Sequence, residues 1–400
     1  MTDRVFGLIG TLNNYPWGKQ GKTSLAAQLC AKTDKNFSID NGKQYSELWF
    51  GDYPDFPARV LETGQLLRDR LEQDKDRLIG AKTIEQFGSQ LPFLPKIRSI
   101  AKALPLQIHP NKDLAAKPHE KDPNNFTDPS HKPEIAVALT KFEVFAGFKP
   151  LSEIEPLFKL PILKPFVPRD TEEWCDETLR GVTRSLLKCD AATTNGIRDV
   201  LLQTPREDLG EAGYMADLLP RLRDQYGPRD SGTLVALTCM NFMVLAPGEA
   251  IYIPADGIHA YLSGDIVECM TRSNNAGICP RADRTNIGLF TNTLTFRAHS
   301  PEDMILPSRR SDKSRSGRTV AYSPPTSEFD MLRTDLGGGE SDEITPSDGP
   351  AVLIVTKGEG NMEADGKRVD LFEGSIFFIA PGVSVLWETE KGMQIHMAVA

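Results

Sequence analysis

The sequence predicts a mainly β protein with a helical insertion and a second β-unit near its C-terminal end. Three observations point there. Ala250, Tyr252 and Pro254 alternate with Ile251 and Ile253, and Pro254-Ala-Asp-Gly257 is turn chemistry, so a strand and a tight turn lead into a second apolar run. Between residues 151 and 236 the period changes: Leu179, Val182 and Leu186 are spaced for one helix face, and Tyr214, Leu218 and Leu222 for another. Finally, Glu373-Gly-Ser-Ile-Phe-Phe-Ile-Ala-Pro-Gly382 echoes Pro247-Gly-Glu-Ala-Ile-Tyr-Ile-Pro-Ala, the mark of an internal repeat.

A chain of 400 residues exceeds one ordinary core, so two or three domains are expected. The 40% hydrophobic and 25% charged content is that of a water-soluble globular protein. A net charge of −9 argues against nucleic acid as the main partner, and an anionic small substrate would need a local basic pocket. No apolar run is long enough to span a membrane, and Met-Thr-Asp-Arg-Val-Phe-Gly lacks the apolar core of a signal peptide. The six cysteines are scattered without a CxxC pair, which suits reduced thiols and a cytoplasmic location.

In chain order, residues 1–150 read as the first part of a β-domain. Asn14-Tyr-Pro-Trp-Gly18 and Tyr45-Ser-Glu-Leu-Trp-Phe-Gly51 suit strands and tight turns, and Leu61, Leu66, Leu67 and Leu71 among charges suit a helical stretch over 61–90. The helical insertion occupies 151–236. Strand-like runs return at Leu234-Val-Ala-Leu and Phe242-Met-Val-Leu, so 237–306 reads as the second part of the β-domain. Residues 307–350, rich in Ser, Arg, Asp, Gly and Pro, read as loop or linker, and 351–400 as the C-terminal β-domain.

Four side chains are candidate metal ligands. Gln107 and His109 alternate around Ile108, and residues i and i+2 of a strand share a face. Glu134 opens an apolar run, where a buried carboxylate needs a partner. His259 follows the turn. Two neutral nitrogens, one carboxylate and one carbonyl oxygen suit a borderline ion such as Zn²⁺. His396, alone among apolar residues, reads as structural, so the C-terminal repeat is expected to hold no metal.

The spacing of Gly248, Pro254 and His259 matches a metal motif of cupin-type β-barrels, with Asp256 in place of the motif's second glycine. More of the chain resembles the type I phosphomannose isomerases: Asn14-Tyr-Pro-Trp-Gly18, Glu47-Leu-Trp-Phe-Gly51, Leu91-Pro-Phe-Leu94, Gln107-Ile-His-Pro110, His131-Lys-Pro-Glu134, Gly257-Ile-His-Ala-Tyr-Leu-Ser-Gly-Asp265, Ile266-Val-Glu-Cys-Met270 and Tyr322-Ser-Pro-Pro325. The resemblance implies cupin-type jelly-roll barrels, one metal-binding and one degenerate, with an α-helical domain. It implies an isomerase of mannose 6-phosphate and fructose 6-phosphate with one Zn²⁺ per chain, feeding GDP-mannose synthesis and protein glycosylation. It also implies that Gln107, His109, Glu134 and His259 are the zinc ligands and that Glu268 is the leading candidate base. Lys132 becomes a candidate electrophile, Lys96 and Arg281 candidate phosphate ligands, and Tyr261 and Trp17 candidate pocket walls.

The chain departs from that family in one functional segment. The family runs Ser-Asp-Asn-x-x-Arg-Ala-Gly after the carboxylate, and here Ser273-Asn-Asn-Ala-Gly277 lacks the arginine. Pro105 also stands where some members have serine. Three readings follow: an active isomerase, a relative that binds sugar phosphate with impaired turnover, or another metal-dependent cupin enzyme. Arg272 and Arg281 are the nearby arginines that could take over the missing charge.

Overall fold

The computed structural model describes residues 3–109, 132–225, 230–273, 287–326 and 328–400. Two large antiparallel sheets dominate it, one of eight strands and one of eleven. The eight-stranded sheet runs, by pairing, through Met240–Leu245, Phe142–Phe148, His259–Thr271, Phe93–Ile100, Glu47–Trp49 and Thr11–Asn13. Glu134–Ala138 joins it between His259–Thr271 and Ala250–Ile253. This is the metal-binding barrel expected from the sequence. Ile100, Ala136, Ala138, Phe142, Val144, Tyr261 and Ile266 form one of its apolar clusters.

The helical insertion covers the outer face of this barrel. Its helices include Asp176–Leu187, Ala191–Gln203, Met215–Gln225 and Gly232–Cys239. Leu179, Val182, Leu186, Leu218 and Leu222 all enter one core with Phe145, Ala260 and Leu262 of the barrel strands. The run at Leu234–Leu237, expected as a strand, is helical, and every residue of Gly232–Cys239 is buried. A short apolar run buried on all sides carries no period to separate helix from strand. The stretch over 61–90 is helical in three short pieces, Leu67–Gln73, Lys75–Leu78 and Ala81–Phe87.

The linker expected over 307–350 is also corrected. It carries the strands Ser308–Arg310, Thr319–Tyr322, Asp330–Leu336 and Glu340–Ile344, all paired within the second β-unit. Its polar side chains do not prevent pairing because the buried ones are hydrogen-bonded, Thr319 to Thr334 and Asp342, while Tyr322, Met331, Leu332, Leu336 and Ile344 supply buried apolar surface. The N-terminus belongs to this sheet too, with Val5–Leu8 pairing with Ile376–Ile379. Inside the second unit, Trp387, Met362, Leu353 and Val355 form the core. The two β-units pack through Ile135, Val137, Val267 and Cys269 from the first and Val352, Ile354, Ile376 and Phe378 from the second.

Gly248 marks one seam between the units. Its φ is +90°, its N–H donates to Ala138, and its carbonyl accepts from the Tyr322 hydroxyl at 2.5 Å. A Cβ there would lie 2.0 Å from Arg333 Nη1, which itself donates to Tyr322 at 2.8 Å. Gly248→Ala is therefore expected to destabilise the fold by more than about 1 kcal/mol, read by denaturant unfolding.

Candidate metal centre and active site

The His259–Thr271 strand does much of the placing. Residues 259 and 268 are an odd number apart, so on a regular strand they would face opposite sides. The register with Phe142–Phe148 shifts between Tyr261 and Ser263, and Gly264 takes φ +125° against the Lys141 carbonyl. This irregularity changes the alternation. Tyr261 and Ile266 then share the barrel interior, while Val267 and Cys269 face the seam between units. His259 and Glu268 consequently both project inward.

Gln107 and His109 arrive without a full strand. Gln107 makes an isolated bridge to His259, with reciprocal backbone hydrogen bonds of 3.1 Å, and His109 N–H donates to Ala255. The alternation expected of a strand still holds, since Ile108 turns to the helical core. Glu134 heads its strand as expected, paired with Ile253 and Met270.

These four side chains converge. His109 Nε2 lies 3.2 Å from Glu134 Oε1, His259 Nε2 lies 3.8 Å from Glu134 Oε2, and the Gln107 amide end lies 3.2 Å from His259 Nε2. The two ends of an amide are interchangeable in shape, so that position serves the carbonyl oxygen equally well. A tetrahedron with ligands ~2.0–2.2 Å from its centre has edges of ~3.3–3.6 Å, which these separations bracket. His259 Nδ1–H donates to the Gly257 carbonyl at 2.9 Å, which aims the Nε2 lone pair at the cluster. His109 is 1% exposed, and among the described residues neither of its ring nitrogens makes a well-formed hydrogen bond. A buried imidazole so placed beside a carboxylate is what a metal ion would complete.

The charge states suit an ion as well. Burial, with Lys132 nearby, pushes His109 down to about 3, and burial lowers His259 too, so both rings stay neutral with a lone pair to give. Burial works against the Glu134 charge, but Lys132 at 3.1 Å together with His109 and His259 outweighs it and holds the carboxyl well below its usual range. Tyr261, fully buried, donates to Glu134 Oε2 at 3.4 Å.

A second charged cluster lies on neighbouring strands of the same sheet. Glu268 is fully buried, with Oε1 3.0 Å from Arg98 Nη1 and Oε2 3.8 Å from Lys96 Nζ. Burial pushes its carboxyl up to about 7; Arg98 opposes the shift and Glu134 adds to it. Lys96 sits over the Trp49 ring at 3.8 Å, and burial lowers it to about 8. Arg98 Nε donates to Glu47 Oε1 at 2.6 Å, and Glu47 Oε2 accepts from Asn13 and Trp49, each at 2.8 Å.

The profile described as "Phosphomannose isomerase type I, catalytic domain" matches residues 5–151. A mannose-6-phosphate isomerase of Ogataea parapolymorpha is 35% identical over 96% of this chain and 94% of its own length. The Saccharomyces cerevisiae enzyme of the same name is 34% identical over 98% and 97%. The chain belongs to the type I phosphomannose isomerase family. A crystal structure of zinc-bound mannose 6-phosphate isomerase superposes with a TM-score of 0.81, at 25% identity over 98% of this chain and 99% of that one. The cupin barrels expected from the sequence are thus the fold of this phosphomannose isomerase family member.

Of the other candidate residues, Lys132 lies in the metal cluster, and Lys96 faces Glu268. Trp17 is half-buried, stacked on Tyr15 at 5.8 Å, with Arg98 5.6 Å from its ring. Arg281 and the departure at Asn274–Gly277 lie outside the described residues. Arg272 is bonded to Asp52 and lies over the Tyr53 ring, so its charge is already engaged. His396 is buried against Thr356 at 3.0 Å, in keeping with a structural role. Sequence reasoning missed Arg98 and the role of Glu47. The available signal was the i, i+2 pair Lys96 and Arg98, two cations on one face of a strand otherwise apolar.

Proposed function

We infer that the protein is a zinc-dependent aldose–ketose isomerase that interconverts D-mannose 6-phosphate and D-fructose 6-phosphate. The observation that carries this is the convergence of Gln107, His109, Glu134 and His259 beside a buried carboxylate, Glu268, within a family of that activity. These four residues hold Zn²⁺, which polarises the sugar oxygens when bound. Glu268 takes the proton from C2 as the C2–H electron pair becomes the C1=C2 double bond of an enediol and the C1=O π pair moves to O1. It returns a proton at C1 as an O2 electron pair becomes the C2=O bond, and the O2 hydroxyl proton passes to O1, so the reaction balances with no external oxidant or reductant. A carboxyl raised toward neutrality is suited to both halves of that exchange. Lys132 supplies positive charge toward the substrate oxygens, with Lys96 and Arg281 proposed for the phosphate. Tyr261 and Trp17 are proposed as walls that orient the sugar.

The proposed place of work is the cytoplasm, supplying mannose 6-phosphate for GDP-mannose and glycosylation. The described cysteines are not joined to one another by disulfides, which supports a reducing compartment, and no described helix is long and apolar enough to cross a membrane. The test is a coupled assay with mannose 6-phosphate. Formation of fructose 6-phosphate that stops on chelation and resumes with zinc is the expected result; a folded, zinc-loaded protein that leaves mannose 6-phosphate unchanged overturns the reading.

A further inference from the structure

We propose that Arg98 is a positioning residue for the isomerisation, clamping Glu268 at the reacting carbons by bridging it to Glu47. The inference rests on the reading of Glu268 as the base. The carboxylate of Glu268 is fully buried, yet among the described residues neither oxygen has a hydrogen bond of good geometry. Two described cations stand beside it. Lys96 stands at 3.8 Å, beyond direct hydrogen-bond reach, and is drawn toward the Trp49 ring. Arg98 Nη1 stands at 3.0 Å.

Arg98 is itself immobilised. Its Nε is fixed to Glu47, which Asn13 and Trp49 hold in turn. Its guanidinium carbon lies 5.6 Å from both the Trp17 and the Tyr261 ring centres. Tyr261 continues to Glu134 in the metal cluster. One rigid, planar fork thus ties the base, a structural carboxylate and the ligand set into a single frame. A residue needed only to neutralise Glu47 would not require its second nitrogen beside Glu268. Among the described residues that Nη1 also lacks a well-formed hydrogen bond. When Glu268 takes up the substrate proton and loses its charge, the Arg98 charge remains beside the enediol that has formed. Lysine cannot copy this arrangement, because an ammonium is a point charge without the fork that reaches two carboxylates at once.

The test compares full-length, zinc-loaded wild type, Arg98→Lys, Arg98→Met and Glu268→Gln. Each is measured for zinc content, kcat, KM and the primary isotope effect with mannose 6-phosphate deuterated at C2. Arg98→Met strands two buried carboxylates and is informative only if it folds, so Arg98→Lys carries the decision. The expected result for Arg98→Lys is unchanged zinc, little change in KM, a fall in kcat of roughly 10²-fold, as for a small misplacement of a reacting group, and a larger isotope effect. Wild-type kcat in folded Arg98→Lys overturns the proposal, and so does a fall in kcat with the isotope effect unchanged. If Glu268→Gln keeps full activity, the reading of the base fails instead, and that outcome is distinct from failure at Arg98 alone.

Discussion

His259→Ala is expected to remove zinc and activity together. His259 occupies the junction of the site: its Nε2 lies near both Gln107 and Glu134, and its Nδ1–H is anchored on Gly257. Losing even an outer partner of a metal ligand typically costs about 10–100-fold in metal affinity or activity, so losing the ligand itself is expected to cost more. The fold should survive, because alanine leaves the Gln107 backbone bridge intact. Elemental analysis after gel filtration is expected to find zinc well below one per chain, with the far-ultraviolet spectrum unchanged. Full zinc retention with full turnover would remove His259 from the ligand set.

Glu268→Gln should give the opposite pattern, zinc retained and turnover lost. Glutamine keeps the shape of the carboxylate but accepts no proton at neutral pH, and general acid–base groups contribute roughly 10²–10⁴-fold. The pH dependence has a definite sign. As a base, Glu268 must be ionised, so kcat/KM falls as pH drops through its pKa. Burial pushes that carboxyl up to about 7, and the Glu134 charge contributes to the shift. Zinc held by Glu134 offsets this contribution, so the acid limb of the loaded enzyme is expected below 7. An acid limb that persists unchanged in Glu268→Gln would assign it to another group.

The candidate metal site is legible in the sequence because each candidate ligand sits on a strong local signal. His259 follows a proline turn, and Glu134 heads an apolar strand. Gln107 and His109 keep their two-residue alternation even without a full strand. Glu268 is harder to place from spacing alone: nine positions from His259, it shares the interior only because of the irregularity near Tyr261–Gly264, and no local pattern announces which strand will slip. The Leu234–Leu237 helix and the strands within 307–350 are missed for the same kind of reason. Their fate is decided by what they pack against, namely the insertion core and the second sheet. Arg98 is hidden because its meaning lies in partners 51 and 170 positions away, Glu47 and Glu268, and its own neighbourhood reads as an apolar strand.

The most direct measurement is a zinc titration of metal-free protein, with fructose 6-phosphate formation from mannose 6-phosphate read at each step. Activity should start near zero, rise in proportion to added zinc, and break at one ion per chain. Full activity before any zinc is added, or a chain that binds its zinc and still leaves mannose 6-phosphate unconverted, would contradict a zinc-dependent isomerase built on Gln107, His109, Glu134 and His259.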